Sequence, residues 1–165
     1  MLASCATLPH SVEVSRAQIE AALARRFPLR APASELLMVQ VGVPRLDLLP
    51  DANRLRLTSA FDVSERITRR AMHGDIALSF ALRYEPADAT LRLADVQVER
   101  VDVQGVPQDW RRPAEAIAAY MGEHLLEGSV LHTFTPSQLA RANGLRPGAI
   151  RVTTGGVSIE LQPAP

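Results

Sequence analysis

A chain of 165 residues is most simply one domain, large enough to bury about two-thirds of its unfolded surface on folding. Its 18 basic residues, every one an arginine, balance 18 carboxylates, which removes the electrostatic footprint of a nucleic-acid-binding protein. The apolar fraction is ordinary, and no internal run reaches the roughly 18 apolar residues of a membrane-spanning helix. The single cysteine, Cys5, excludes a disulfide, a cysteine-rich metal cluster or a CxxC redox pair within one copy.

In chain order, the first feature is Leu2-Ala3-Ser4-Cys5, which has the form of a bacterial lipoprotein processing site. Cys5 is then expected to be a lipid anchor, with the body on the periplasmic side of a bacterial membrane, the outer membrane being the expected one. Four residues precede Cys5, and they lack the basic and apolar regions of a secretion signal. Either Met1 lies inside that signal, or the likeness is accidental and Cys5 is a spare thiol on an ordinary terminus. Residues 1–14 are expected to be a signal remnant and tether, and 15–165 one domain.

The domain opens with a helix at Ser15, where Gln18 completes a capping box. Ile19, Ala22 and Leu23 form one stripe before Phe27-Pro28. From residue 35 the period becomes two. Leu37, Val39, Val41 and Val43 share one face. Next come Leu55, Leu57, Phe61 and Val63, and after them Ile76, Leu78, Phe80, Leu82 and Tyr84. Turns are expected over Pro44 to Asn53 and at Glu85-Pro86-Ala87-Asp88, while Ser64 to His73 fits either a strand or a turn. A fourth strand begins with Leu91 and Leu93, but its apolar phase shifts to Val96 and Val98 and then back to Val101 and Val103. Period two changes phase only through an inserted residue, so bulges are expected at Ala94-Asp95 and Glu99-Arg100. Two irregularities in one long strand imply a strongly curved sheet.

Pro113 predicts the start of a long helix over 113–127, with Ala114, Ile117, Ala118, Met121 and Leu125 on its apolar side. That side is expected to lie in the sheet's concave face. A shorter helix starts at the Thr135 cap with Pro136 and Gln138, and stops at Asn143-Gly144. Ala149 to Val152 and Val157 to Leu161 flank a turn at Thr153-Thr154-Gly155-Gly156, giving a terminal hairpin. The fold class predicted is α+β: a long, strongly curved antiparallel sheet wrapped around a long helix from the C-terminal half, with an N-terminal helix and a terminal β-hairpin.

Catalytic chemistry is sparse. His10, His73, His124 and His132 fall in different expected elements, and none has the HExxH spacing of a metalloprotease. Gly155-Gly156 has no lysine or phosphate-loop spacing beside it. Trp110-Arg111-Arg112 reads either as a border touching lipid headgroups or a partner, or as a core cap with solvated arginines. The expectation is a protein that is not an enzyme, with no cofactor and no metal.

Asn143-Gly144-Leu145-Arg146-Pro147-Gly148-Ala149-Ile150-Arg151-Val152, followed by Val157-Ser158-Ile159-Glu160-Leu161, resembles the ending of the DUF1439 family of YceB-like bacterial lipoproteins. The helix from Ser15 to Leu23 leading to Phe27-Pro28 is similar to that family's beginning, and the order of elements agrees over about residues 12 to 161. The resemblance implies a curved antiparallel sheet around a long helix, similar to one half of the tubular lipid-binding domains, and implies no catalytic residues. Binding of a lipid acyl chain or other apolar ligand between helix and sheet is then expected, lined by Ile117, Met121 and Leu125 from the helix and by Phe61, Leu78 and Phe80 from the strands. The same residues would equally fill a solid core. In that case the alternative is an envelope protein-interaction or assembly module with a protein partner and no ligand, working through an exposed sheet edge or the convex face.

Overall fold

The computed structural model describes residues 11–32, 35–141 and 144–163, with the side chains of 31, 121 and 139–141 outside the description. The chain runs β1 (Ser11–Ser15), α1 (Arg16–Arg26), β2 (Leu29–Pro32), β3 (Leu37–Val41), β4 (Arg45–Leu49), β5 (Arg54–Glu65), β6 (Ala71–Glu85), β7 (Thr90–Gln104), α2 (Gln108–Leu126), β8 (Val130–Thr133), α3 (Pro136–Arg141), β9 (Leu145–Val152) and β10 (Gly156–Pro163). Seven strands form a curved antiparallel sheet in the order β2-β3-β5-β6-β7-β8. β4 joins the same edge of β5 as β3, pairing residues 54–58 while β3 pairs 61–65. A second sheet of three strands, β1-β10-β9, contains the terminal hairpin.

The α+β class, the N-terminal and long helices, the four-strand meander and the hairpin are all present as expected. So are both bulges. β7 pairs Val98 with Leu78 but Arg100 with Ala77, leaving Glu99 as an extra residue, and the register slips again between Gln97 and Ala94. Asp95, inside the second slip, takes the left-handed conformation at φ 51°. Each inserted residue adds bend and twist to its strand, which is how a meander of long strands becomes a trough. The helix caps also match. Ser15 Oγ accepts from Gln18 N at 3.3 Å while Gln18 Oε1 accepts from Ser15 N at 2.8 Å. Thr135 and Gln138 repeat the exchange at the start of α3. Gly144 is left-handed at φ 77°, whereas Asn143, expected beside it, lies outside the described residues.

Several expectations are corrected. Of the signal remnant and tether expected over 1–14, residues 11–14 instead belong to β1, whose residues 11–15 pair along β10 from Glu160 to Gly156. Pro44 to Asn53 is not one turn: Leu46, Leu48 and their neighbours form β4, and only Pro50–Ala52 turns. The ambiguous segment resolves into a β5–β6 turn over 66–70. β2 and β8 are additional short strands at the two sheet edges, and β8 carries His132 opposite Leu91. The long helix begins at Gln108 rather than Pro113. Proline there removes one hydrogen bond to Asp109, a small loss in a first turn and a half whose residues, 108–113, are all exposed.

The core lies on the inner face of the curved sheet. Leu46, Leu55, Leu57, Leu78, Phe80, Leu93 and Val96 meet Ile19 and Leu23 of α1 and Val152, Val157 and Ile159 of the small sheet. The trough is therefore filled chiefly by α1 and the hairpin, and α2 occupies its β7 margin. Asn53 locks the two sheets together. Left-handed at φ 52°, it donates its side-chain amide to Ile150 O at 3.0 Å and accepts from Val152 N at 2.7 Å, so one side chain substitutes for a strand neighbour.

Candidate functional site

α2 presents two unlike sides. Ala114, Ala118, Ala119 and Gly122 are partly buried toward the sheet, and their small size brings the helix close. A Cβ on Gly122 would stand 3.2 Å from Val98 Cγ2 and 3.4 Å from Ile76 Cδ1. Two carboxylates on the same side take up the outer edge of β7, which β8 covers only at residues 90–92. Glu123 Oε1 accepts from Val98 N at 3.0 Å, and Glu127 accepts from Asp95 N at 3.1 Å and Val96 N at 2.9 Å. A sheet edge that would leave donors unpaired is thereby closed by side chains.

The outer face of the sheet grips the same bulges. Arg54, with only 15% of its side chain exposed, donates to Asp95 Oδ2 at 2.7 Å and to Ser79 O at 3.0 Å. Arg56 Nε meets Glu99 Oε2 at 2.6 Å. Hydrogen bonds from Arg54 and then Gln97 hold the Asp95 carboxyl below its ordinary range, and Arg56 does the same for Glu99 against a smaller opposing effect of burial. A folded-state value below the unfolded one stabilises fully above the unfolded range near about pH 4, and that contribution disappears as pH falls through the lower folded value. Thermal unfolding followed across pH is thus expected to show a falling Tm in acid, and Arg54→Met to flatten that fall.

Beside the first turns of α2 lies an open groove of about 340 Å³, lined by Arg70, Met72, Val106, Pro107, Trp110, Ala114 and Ile117. Apolar side chains make up most of the wall, with Arg70 as its one charge. A second opening of about 340 Å³ lies on the other side of α2 against Val98–Val101 and is lined by Glu99, Arg100 and Glu115 among others, a setting hostile to hydrocarbon.

The residues singled out from the sequence are distributed unevenly around this groove. Ile117 lines it. Phe61 is buried across from Gly74, one same-face pair inward from Val63 and Met72, and its ring sits where a Cβ on Gly74 would come within 2.9 Å. Leu78 and Phe80 belong to the packed core instead. Leu125, expected to face the sheet, is 69% exposed, because the close approach made by Ala114, Ala118 and Gly122 puts the small residues inward. Cys5 and the Met121 side chain lie outside the described residues. Sequence reasoning missed Met72, Val106 and Arg70. Met72 shares the even phase of Ile76 and Leu78 and would have been found by extending that strand four residues toward its start.

Among the described residues no three of His, Cys, Asp and Glu gather as a metal site requires, and no helix is long and apolar enough to cross a membrane. His124 stacks on Tyr120 at 3.9 Å and His132 meets Phe134 edge-on at 4.8 Å, so both rings are engaged in local packing. No protein-family model matches the chain, and no curated protein matches it closely enough to count as a relative.

Proposed function

We propose that this protein is a non-enzymatic lipoprotein of the bacterial envelope, of the DUF1439 kind, that holds an apolar ligand such as a lipid acyl chain beside α2. The groove lined by Met72, Val106, Trp110 and Ile117 carries this reading. Its volume of about 340 Å³ falls at the small end of the range typical of ligand sites, roughly 300–1,000 Å³, and its walls gain free energy by removing chain methylenes from water. Cys5, acylated, keeps the body at the periplasmic face of a membrane, the outer membrane in this reading. The ligand's chain enters at the α2 N-terminus, and Arg70 stands where a polar head would remain.

The test is uptake of a fluorescent fatty acid by protein made as Cys5→Ser, combined with native mass spectrometry of the acylated form from bacterial envelopes. Saturable uptake and a co-purifying lipid mass are expected; absence of both would sink the proposal. A second reading, an assembly module without ligand, draws on the exposed apolar residues along α2. It predicts a stable protein partner together with no uptake.

A further inference from the structure

Four large apolar side chains of α2 face water. Trp110 is 66% exposed, and Ile117, Tyr120 and Leu125 are each more than half exposed, whereas the side turned to the sheet carries alanines, a glycine, two glutamates and, of the large apolar residues described, only Leu126 packed on the core. A surface helix of a globular protein ordinarily has the opposite polarity. Rolling the helix to bury the stripe would pull Glu123 and Glu127 from the N–H groups of Val98, Asp95 and Val96, leaving a sheet edge with unpaired donors. The hydrogen bonds of the inner side thus hold the apolar side outward, and an outward apolar stripe of this kind marks an interaction surface.

Charge selects the occupant. The β5–β6 turn contributes Arg66, Arg69 and Arg70 together with Ile67, which is 73% exposed, and Arg70 shares the groove with Trp110 and Ile117. Trp110 adds its indole to this surface, whereas Arg111 and Arg112 fall on the azimuths of Ala118 and Glu123 and turn away from it. The three arginines of the turn are exposed, and none takes part in an ion pair among the described residues. The acids of these two segments are fewer: Asp109, and Glu65, whose carboxylate already accepts from Ile67 N and Thr68 N. A second copy meeting this face about a two-fold axis would set arginine against arginine. A surface of anionic headgroups over hydrocarbon supplies both complements, with indole at the boundary.

We infer that the outer side of α2 and the β5–β6 turn dock on an anionic lipid bilayer, with Trp110, Ile117, Tyr120 and Leu125 entering the headgroup boundary and Arg66, Arg69 and Arg70 engaging phosphates. This contact is separate from acylation at Cys5 and goes beyond ligand uptake: it places the groove mouth at the surface from which a lipid chain would be drawn.

The full chain carrying Cys5→Ser is mixed with vesicles of phosphatidylcholine alone or containing phosphatidylglycerol, and binding is read by sedimentation and by the emission of Trp110, the chain's only tryptophan. Binding to the phosphatidylglycerol vesicles with a blue shift is expected, weakening as salt is raised. Arg66→Gln and Arg69→Gln are each expected to lower it about fivefold, and Tyr120→Asp with Leu125→Asp to abolish both binding and blue shift while the Tm is retained. No binding to anionic vesicles, equal binding to both compositions, or a stable dimer that shields Trp110 without lipid would each overturn the inference. Fatty-acid uptake measured without vesicles stays unchanged in the Arg66→Gln and Arg69→Gln proteins, so failure to dock and failure to take up ligand are told apart.

Discussion

Phe80→Ala is expected to cost about 3–5 kcal/mol of stability, lowering the Tm by roughly 6–20 °C for a chain of this length. Phe80 is 1% exposed, pairs across from the fully buried Leu55, and belongs to the cluster joining α1, the hairpin and the curved sheet. Truncation there leaves a void that neighbours on three elements cannot close together. A loss of that size would be a large part of the total stability of an ordinary domain, about 5–15 kcal/mol. A ligand-lining phenylalanine behaves differently: its loss changes uptake and leaves the Tm nearly unmoved. Chemical unfolding and fatty-acid uptake measured on the same variant separate these cases, and the packing around Phe80 predicts lost stability with uptake retained in the folded fraction.

Ile117→Asp is expected to give the reverse pattern. The side chain is 59% exposed, so its replacement should change stability by no more than about 0.5 kcal/mol, as for other surface positions. It also forms one wall of the groove. An apolar chain lying against it would lose part of the roughly 1.5–3 kcal/mol that full burial of such a side chain contributes and would additionally desolvate a carboxylate. A weakening of uptake by about tenfold or more follows. Uptake as strong as that of the unaltered protein, in a variant that unfolds normally, would remove the groove from consideration as the binding site.

Features that depend on local chain chemistry were legible in the sequence. The capping exchange at Ser15 and Gln18 requires only two side chains three residues apart. The bulges in β7 were visible because alternation has a parity, and the shift from Leu93 to Val96 and from Val98 to Val101 breaks it. The short strands were harder. β4 lies between Pro44 and Pro50, so turn residues on both sides masked Leu46 and Leu48, and β1 contributes only Val12 and Val14 to the apolar pattern. The candidate site was least legible. Apolar periodicity identifies a helix's greasy side but not what it faces, and in α2 the sheet is approached chiefly by alanine, glycine and carboxylates, with Leu126 beside them. Glu123 and Glu127 satisfy backbone donors on a strand about 25 to 32 residues earlier, a pairing with no signature in composition or spacing. Arg70 and Met72 join Trp110 only because the β5–β6 turn returns to the same end of the sheet.

The paired irregularities of β7 also make the length of that strand a functional dimension. Leu91 and Leu93, Val96 and Val98, and Val101 and Val103 reach one face only because two single-residue insertions lie between the three groups. Excising Glu99 alone would join Val98 to Val101 in unbroken alternation, keeping both on one face while removing one bend. Excising Asp95 together with Glu99 would straighten the whole ribbon, and with less bend the trough that seats α1 and the hairpin would open out. Shape and phase are thus set by the same two residues, so a shortened relative of this chain could preserve its alternation and still lose its curvature.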